Sequence, residues 1–357
     1  MDKRDGMNYA PKGKPSKVAE AGEFVFAALR LDHGHIYGMC NGLIEAGAEL
    51  RWVYDADPAK AEAFIKQYPG VKIAESEEQL LQDPDIQLIA SAAIPCDRGP
   101  LGVRVMRSGK HYFTDKAPFT TLEQLADARA AAAETGKKYA VYYSERLHVE
   151  SAVFAGELIA QGAIGRVVQV LGLGPHRLNA HLRPDWFFVK EQYGGIICDI
   201  GSHQIEQFLY FTGNKKATVA HSKVANYNCK EHPELEDFGD VTLVGENGAT
   251  GYFRVDWLTP SGLSTWGDGR MLILGTEGYI ELRKYVDIAR EGAGDQLYLV
   301  NGDGERHMQL GGKVGFPYFG QLILDCLNGT ELAMTQEHTF LAAELTLIAQ
   351  QQAVQVE

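Results

Sequence analysis

The pattern of apolar and polar positions along this chain changes once, near residue 147. Before it, short apolar runs alternate with longer segments whose apolar residues recur three and four apart. That is the pattern of strands buried on both faces and separated by amphipathic helices. Strands are expected at Phe24–Leu29, Leu50–Asp55, Val71–Ala74, Ile86–Ser91, His111–Thr114 and Lys138–Tyr143. Helices are expected between them. One runs through Met39, Leu43 and Ile44 to Gly47, and one covers Pro58–Gln67 with Asp57 as its N-cap. A third opens on the capping box Ser76 and Gln79, a fourth passes through Leu101, Val105 and Met106, and a fifth runs from Thr120 and Glu123 to about Glu134. Strands alternating with helices across short connections predict an α/β fold built on a doubly wound parallel sheet.

After residue 147 strands follow one another directly: Gly165–Leu173, Ala217–Tyr227, Asp240–Val244, Thr250–Trp257, Arg270–Leu274, Gly278–Leu282 and Gln296–Val300. Asn247-Gly248 and Asn301-Gly302 are hairpin turn signals. The expectation is an α+β domain with a large, mostly antiparallel open sheet. Helix returns over Tyr318–Leu327 and again after Thr335, through Leu341, Leu345 and Ile348, in positions open to packing back on the first domain. The domains read as 23–146 for dinucleotide binding and 147–357 for substrate binding and oligomerisation, with residues 1–22 as a flexible tail. An open sheet must cover its outer face, and a second subunit is the expected cover, giving a homodimer or homotetramer.

Composition narrows the partners. The chain has 357 residues, 45% hydrophobic and 23% charged, which is globular composition at a length that favours two domains. Its net charge of −13 argues against a nucleic-acid backbone or an anionic membrane surface as partner. The five cysteines are scattered and odd in number, as expected of reduced thiols in a cytoplasmic protein. No apolar stretch nears the roughly 20 residues of a spanning helix, and the polar N-terminal segment carries no signal-peptide core.

Two places in the first domain matter for a dinucleotide. Asp55 closes the second strand 21 residues after Gly34, where a carboxylate accepts from ribose hydroxyls and repels a 2′-phosphate, which favours NAD over NADP. The turn after the first strand lacks the glycine fingerprint. Arg30, Asp32 and His35 take the three glycine positions, with His33 and Gly34 among them. There the helix N-terminus would offer N–H groups and its dipole, and Arg30 would supply compensating charge.

In the second half, Gly194-Gly195-Ile-Ile-Cys-Asp199-Ile-Gly201-Ser-His203 precedes a helix expected from about Ile200 to Phe211. Spacing of four puts Asp199 and His203 on one helix face. With Lys116 they form a proton-transfer set, a structural alternative being an N-capping Asp and a core His. The loop holding His176, Arg177, His181, Arg183 and Trp186 suits a polyhydroxylated ligand, the alternative being a solvated loop around a buried Trp. His33, His35, His176, His181 and His203 match no compact ligand spacing, so no metal is expected.

The run Gly109-Lys110-His111-Tyr-Phe-Thr-Asp115-Lys116-Ala117-Pro118, followed by the full G-G-x-x-x-D-x-G-x-H run, resembles the Gfo/Idh/MocA family. The likeness covers residues 24–357. It implies an NAD(P)-dependent oxidoreductase acting on a sugar, cyclitol or related polyol. Lys116 would hold and polarise the reacting hydroxyl, Asp199 would position substrate or imidazole, and His203 would be the general base. Pro95, Asp115 and Lys116 would join the cofactor site. Asp115 stands where the family has Glu, and Ala117 separates Lys116 from Pro118, near which relatives often carry a cis peptide. After the fourth strand the family commonly has T-P-N-x-x-H, and here Ala93-Ile94-Pro95-Cys96-Asp97-Arg98 keeps the proline but replaces the Asn and the His. Two other readings stay open: a catalytically silent ligand-binding protein on the same fold, and a redox-neutral enzyme using tightly held NAD.

Overall fold

The structure is a computed structural model that describes residues 5–290 and 293–356. The chain forms two compact units, one from Met7–Tyr142 with Gly315–Phe340, the other from Tyr143–Val314 with the chain from Leu341 onward.

In the first unit the elements run β1 (Val25–Leu29), α1 (His35–Glu45), β2 (Glu49–Tyr54), α2 (Pro58–Gln67), β3 (Lys72–Ile73), α3 (Glu77–Gln82), β4 (Leu88–Ser91), α4 (Pro95–Arg107), β5 (His111–Asp115), α5 (Leu122–Thr135) and β6 (Tyr139–Tyr142). All six strands are parallel, in the order β3-β2-β1-β4-β5-β6. Every residue of β1, β4, β5 and β6 is buried, as a parallel sheet covered on both faces requires. The strand order reverses between β1 and β4, so the turns that follow these strands flank the crevice where such sheets take ligands.

Local chemistry sets the helix starts. Asp57 Oδ1 accepts the Ala59 N–H at 3.0 Å and Ser76 Oγ accepts the Gln79 N–H at 3.2 Å. At α5 the cap is Thr121 rather than the expected Thr120. Thr121 Oγ1 accepts the Gln124 N–H at 3.2 Å, and Gln124 Oε1 reaches back to the Thr120 N–H at 2.9 Å.

The expected flexible tail is a second correction. Residues 1–4 lie outside the described residues, but from Met7 to Val18 the chain follows α1 from its N-terminus to its C-terminus. The Gly13 N–H donates to Glu45 Oε2 at 2.9 Å, and the Ser16 and Val18 N–H groups donate to the Glu45 and Ala46 carbonyls at 3.1 and 2.9 Å. Polar composition concealed this segment because backbone groups, not apolar side chains, hold most of it.

The second unit runs α6 (Ser144–Leu147), α7 (Glu150–Ala160), β7 (Val167–Pro175), α8 (Lys190–Tyr193), α9 (Ser202–Thr212), β8 (Ala217–Ala225), β9 (Phe238–Gly245), β10 (Thr250–Asp256), β11 (Arg270–Gly275), β12 (Gly278–Arg283), β13 (Gln296–Asn301) and β14 (Gly304–Gln309). α10 (Pro317–Asn328) then belongs to the first unit, where Phe319 fills the space that a side chain at Gly42 of α1 would need. α11 (Gln336–Gln351) and β15 (Val354–Val356) end the chain. Thr335 Oγ1 caps α11 by accepting the His338 N–H at 3.1 Å.

The nine-stranded sheet has the order β14-β13-β12-β11-β7-β10-β9-β8-β15 and is antiparallel except at β7–β10 and β8–β15. Asn301 and Gly304 pair across the β13–β14 turn. β14 and β15 were not expected from the pattern, since both are short edge strands without apolar alternation. α9 lies against β7 on one face. The other face presents Val244, Tyr252, Leu272, Leu274 and Tyr279, each 36–42% exposed.

Candidate functional site

The turn from β1 to α1 is where a dinucleotide fold meets pyrophosphate, and here its donors are already engaged. Arg30 adopts φ +60°, and its N–H and C=O are held by Tyr54 and Ala92. At the start of α1, the His35 N–H points to His33 Nδ1 at 3.3 Å, the Ile36 N–H to the His33 carbonyl at 3.3 Å, and the Tyr37 N–H to the Gly34 carbonyl at 3.2 Å. These are three of the N–H groups that a helix normally leaves open at its N-terminus. Gly34 faces the Met7 carbonyl and Asn8 Oδ1, which leave no room for a Cβ. Two oxygen acceptors therefore sit where phosphate oxygens would be expected.

The charged residues of the turn are also paired. Asp55 Oδ2 accepts the Leu31 N–H at 2.6 Å and Oδ1 accepts the Asp57 N–H at 2.8 Å, which places the carboxylate at the end of β2 and 8% exposed. Asp32 Oδ1 takes Lys60 Nζ at 2.5 Å. Arg30, expected to neutralise a pyrophosphate, instead lies 3.6 Å from Glu77 with its side chain 36% exposed. Burial would lower the Lys60 ammonium pKa, but Asp32 more than offsets that.

At the end of β5 the Asp115 carboxylate is fully buried and four nitrogens face it. Oδ1 faces the Lys116 N–H at 2.8 Å and His35 Nδ1 at 2.9 Å; Oδ2 faces Arg98 Nη2 at 3.3 Å and His33 Nδ1 at 3.2 Å. Burial alone would raise the Asp115 pKa, but His35, Arg98 and His33 hold it well below the usual carboxylate range. Burial, followed by the charge of His35, pushes His33 well down. Arg98, in the first turn of α4, donates to the carbonyls of Ala93 at 2.6 Å and Ala117 at 3.0 Å, and also to that of Lys116. It clamps the backbone at Lys116 and Ala117, which are joined by a cis peptide bond.

In the second unit Asp199 and His203 are 7% and 2% exposed. The helix carrying them is not the regular one expected. Ile197–Gly201 forms a π-helical turn and α geometry starts at Ser202, so a simple α-helical turn does not relate the pair. Gly194 and Gly195 adopt φ +88° and +98°, which an L side chain rarely does. Gln350 then packs on Gly195, and its Oε1 accepts the Ile197 and Cys198 N–H groups at 2.9 and 3.3 Å. Wide turns of this kind inside helices recur at functional sites.

The expected loop residues divide by role. His176 lies against Trp257 and Trp266, at centroid distances of 5.3 and 4.4 Å, with Nε2 3.9 Å from Glu145 Oε1. Arg177 is buried and donates to the Pro260 and Leu263 carbonyls at 2.9 and 2.7 Å, so it ties loops together. Arg183 donates to the Leu178 carbonyl at 2.8 Å and stacks over Phe187 and Trp257. Burial lowers its pKa against the opposing charge of Asp199. Trp186 is half-buried, and Phe187 beside it, 2% exposed, is the aromatic that enters the core.

Sequence reasoning missed a buried charged pair. Glu145 Oε2 accepts from Lys284 Nζ at 3.1 Å and from Gln204 Nε2 at 2.7 Å, while Lys284 also donates to Gln207 Oε1 at 2.7 Å. Burial opposes ionisation of Glu145, but Lys284, His203 and His176 together hold its pKa at about 2. A signal existed: Glu145-Arg146 interrupts an otherwise apolar stretch at the end of β6. Arg98 was passed over for the same reason, since a cation on the buried face of a helix reads as a break in pattern.

Comparison with known proteins agrees with these motifs. Residues 33–143 match the model of the oxidoreductase family with an NAD-binding Rossmann fold, and residues 153–281 match the GFO/IDH/MocA C-terminal domain. The first match begins after Arg30–Asp32, beyond two of the three substituted glycine positions. A crystal structure from Erwinia carotovora atroseptica SCRI1043, assigned to the oxidoreductases, is 56% identical with a TM-score of 0.91, covering 94% of this chain and all of that one. The scyllo-inositol 2-dehydrogenase (NAD(+)) of Bacillus subtilis strain 168 is 26% identical over 66% of each chain. The NADP(+) form IolW from the same organism is 23% identical over 52% of this chain and 50% of its own length. The alignment thus spans between half and two thirds of these curated relatives. Matching models over both halves and a 56% identical relative over nearly the whole length place the chain in the Gfo/Idh/MocA oxidoreductase family.

Proposed function

We propose that this protein is an NAD(P)-dependent dehydrogenase that moves hydride between nicotinamide and a hydroxyl of a sugar, cyclitol or related polyol, with NAD preferred. The observation that carries the reading is the burial of Lys116, Asp199 and His203 at 5, 7 and 2% exposure within the two family motifs. Core packing alone selects apolar residues at such positions, and buried ionisable groups cluster at functional sites. The relatives named for scyllo-inositol support the substrate class.

The residues fit a dinucleotide at Asp55, which stands at the end of β2 as a ribose partner does. At the phosphate turn they fit once the Met7–Asn8 segment has moved aside. When bound, the nicotinamide supplies the hydride acceptor or donor. The remaining work falls to side chains. His203 takes the proton from the carbinol oxygen, Lys116 stabilises the developing alkoxide, and Asp199 orients substrate or imidazole. Arg98 holds Lys116 in place through the Lys116 and Ala117 carbonyls.

Asp55→Ala is expected to weaken NAD⁺ binding by roughly tenfold or more, the loss of one or two hydrogen bonds to a carboxylate. It is also expected to narrow the preference over NADP⁺. Isothermal titration with each dinucleotide reads both effects, and an unchanged preference would remove the ribose role.

The covered phosphate turn favours the second reading, a silent ligand-binding protein. Deleting residues 1–10 separates the two. If Met7 and Asn8 only compete with phosphate, the truncated protein binds NAD⁺ at least about tenfold more tightly than the full chain. Failure of both proteins to bind either dinucleotide transfers the case to the silent reading.

A further inference from the structure

The cluster of His33, His35 and Asp115 is not used by the hydride chemistry above, and its donor set has a chemistry of its own. The two imidazoles come from the β1–α1 turn and the carboxylate from the end of β5, eighty residues away. One ligand atom from each lies within 4.8 Å of the others. Both Nδ1 atoms face the same carboxylate, at 3.2 Å for His33 and 2.9 Å for His35. Two ligands about 2.0–2.1 Å from one ion are about 2.9 Å apart at a right angle and about 3.3 Å apart at a tetrahedral angle. The two imidazole–carboxylate separations, one to each oxygen, lie in that interval.

We infer that His33, His35 and Asp115 form a binding site for one divalent first-row transition-metal ion of the kind Zn²⁺ represents. Two imidazoles and a carboxylate suit such an ion better than Mg²⁺ or Ca²⁺, which take oxygen ligands. His33 Nδ1 accepts the His35 N–H at 3.3 Å, a contact that binding of the ion would displace. Where a bare nitrogen faces a carboxylate oxygen, positive charge between them, a proton or an ion, removes the repulsion.

The surroundings have the form of an outer shell. Arg98 and the Lys116 N–H also donate to the carboxylate, one to each oxygen, as the outer partners of a metal-bound carboxylate do. Arg98 adds a positive charge nearby, but it also donates to three backbone carbonyls, which spread that charge. His35 keeps 12% of its side chain exposed, which leaves an approach for the ion. Spacing along the chain hid the site because H-x-H supplies only two ligands, and the third depends on the β1-β4-β5 strand order.

The test uses full-length protein stripped with a chelator and returned to metal-free buffer. Co²⁺ is titrated while its visible d–d absorption is followed, and Zn²⁺ is then added as competitor. The expected result is binding of one Co²⁺ per chain, displaced by Zn²⁺. His33→Ala and His35→Ala should each weaken it by more than the roughly 10–100-fold that loss of an outer partner costs. His338→Ala, at a half-buried histidine on α11, should leave the titration unchanged. Circular dichroism confirms that the histidine variants fold; they are preferred to Asp115 variants because Asp115 also anchors Arg98. Absence of stoichiometric binding, or binding that survives intact in both His33→Ala and His35→Ala, overturns the inference and leaves a proton-bridged cluster. No dinucleotide enters this experiment, so its outcome is independent of the dehydrogenase reading.

Discussion

His203→Ala is expected to lower kcat by roughly two to four orders of magnitude, the usual contribution of a positioned proton-transfer group. The imidazole is 2% exposed, so water cannot readily replace it as the proton acceptor. Lys116→Ala should cost a similar factor through loss of charge stabilisation. The two variants should differ in their pH response. Without His203, the kcat profile loses the limb that reports the base, whereas Lys116→Ala keeps it at a lower plateau. Turnover followed at 340 nm across a panel of cyclitols and aldoses reads both effects. Near-normal turnover in His203→Ala would falsify its role as the base.

The second large effect is on stability. Arg146 and Glu206 form a buried pair, with Arg146 Nε 2.8 and 3.0 Å from the two carboxylate oxygens, Glu206 fully buried and Arg146 7% exposed. The guanidinium also lies 3.8 Å from the centre of the Tyr210 ring. Glu206→Ala leaves that cation buried without its partner, which should cost about 3–5 kcal/mol. Urea denaturation followed by circular dichroism measures it as a fall in midpoint at constant slope. Glu206→Gln keeps the shape and some hydrogen bonding and should cost less. A loss below about 1 kcal/mol for Glu206→Ala would mean that the arginine regains solvent, as at an exposed pair. The variant is also a folding control for His203, which lies on the same helix.

Much of the fold was legible because its signals are local. The apolar runs of β1, β4, β5 and β6 and the caps at Asp57, Ser76 and Thr335 lie within a few residues of what they specify. The Asn247-Gly248 and Asn301-Gly302 turns act over the same range. Short-range signals fail where a remote group intervenes. The π turn at Ile197–Gly201 is capped by Gln350, about 150 residues later, which takes the first N–H groups of the turn. The segment from Met7 to Val18 reads as a free tail by composition, yet backbone hydrogen bonds to the end of α1 hold it.

The candidate site divides in the same way. The sequence by itself determined which residue types are present and in what order: the Gly109–Pro118 and Gly194–His203 motifs, a carboxylate closing β2, and a phosphate turn without its glycines. Those follow from periodicity and spacing, which are properties of a chain read in one dimension. Only the tertiary structure decided which of these groups meet. It gave Arg177 to the loop carbonyls, Asp32 to Lys60 and Asp55 to the β1–α1 backbone, and it brought Asp115 to His33 and His35 and Glu145 to Lys284. The physical reason is burial. A charged group taken out of water must find a partner wherever the strand order puts one, and strand order is not written in local pattern.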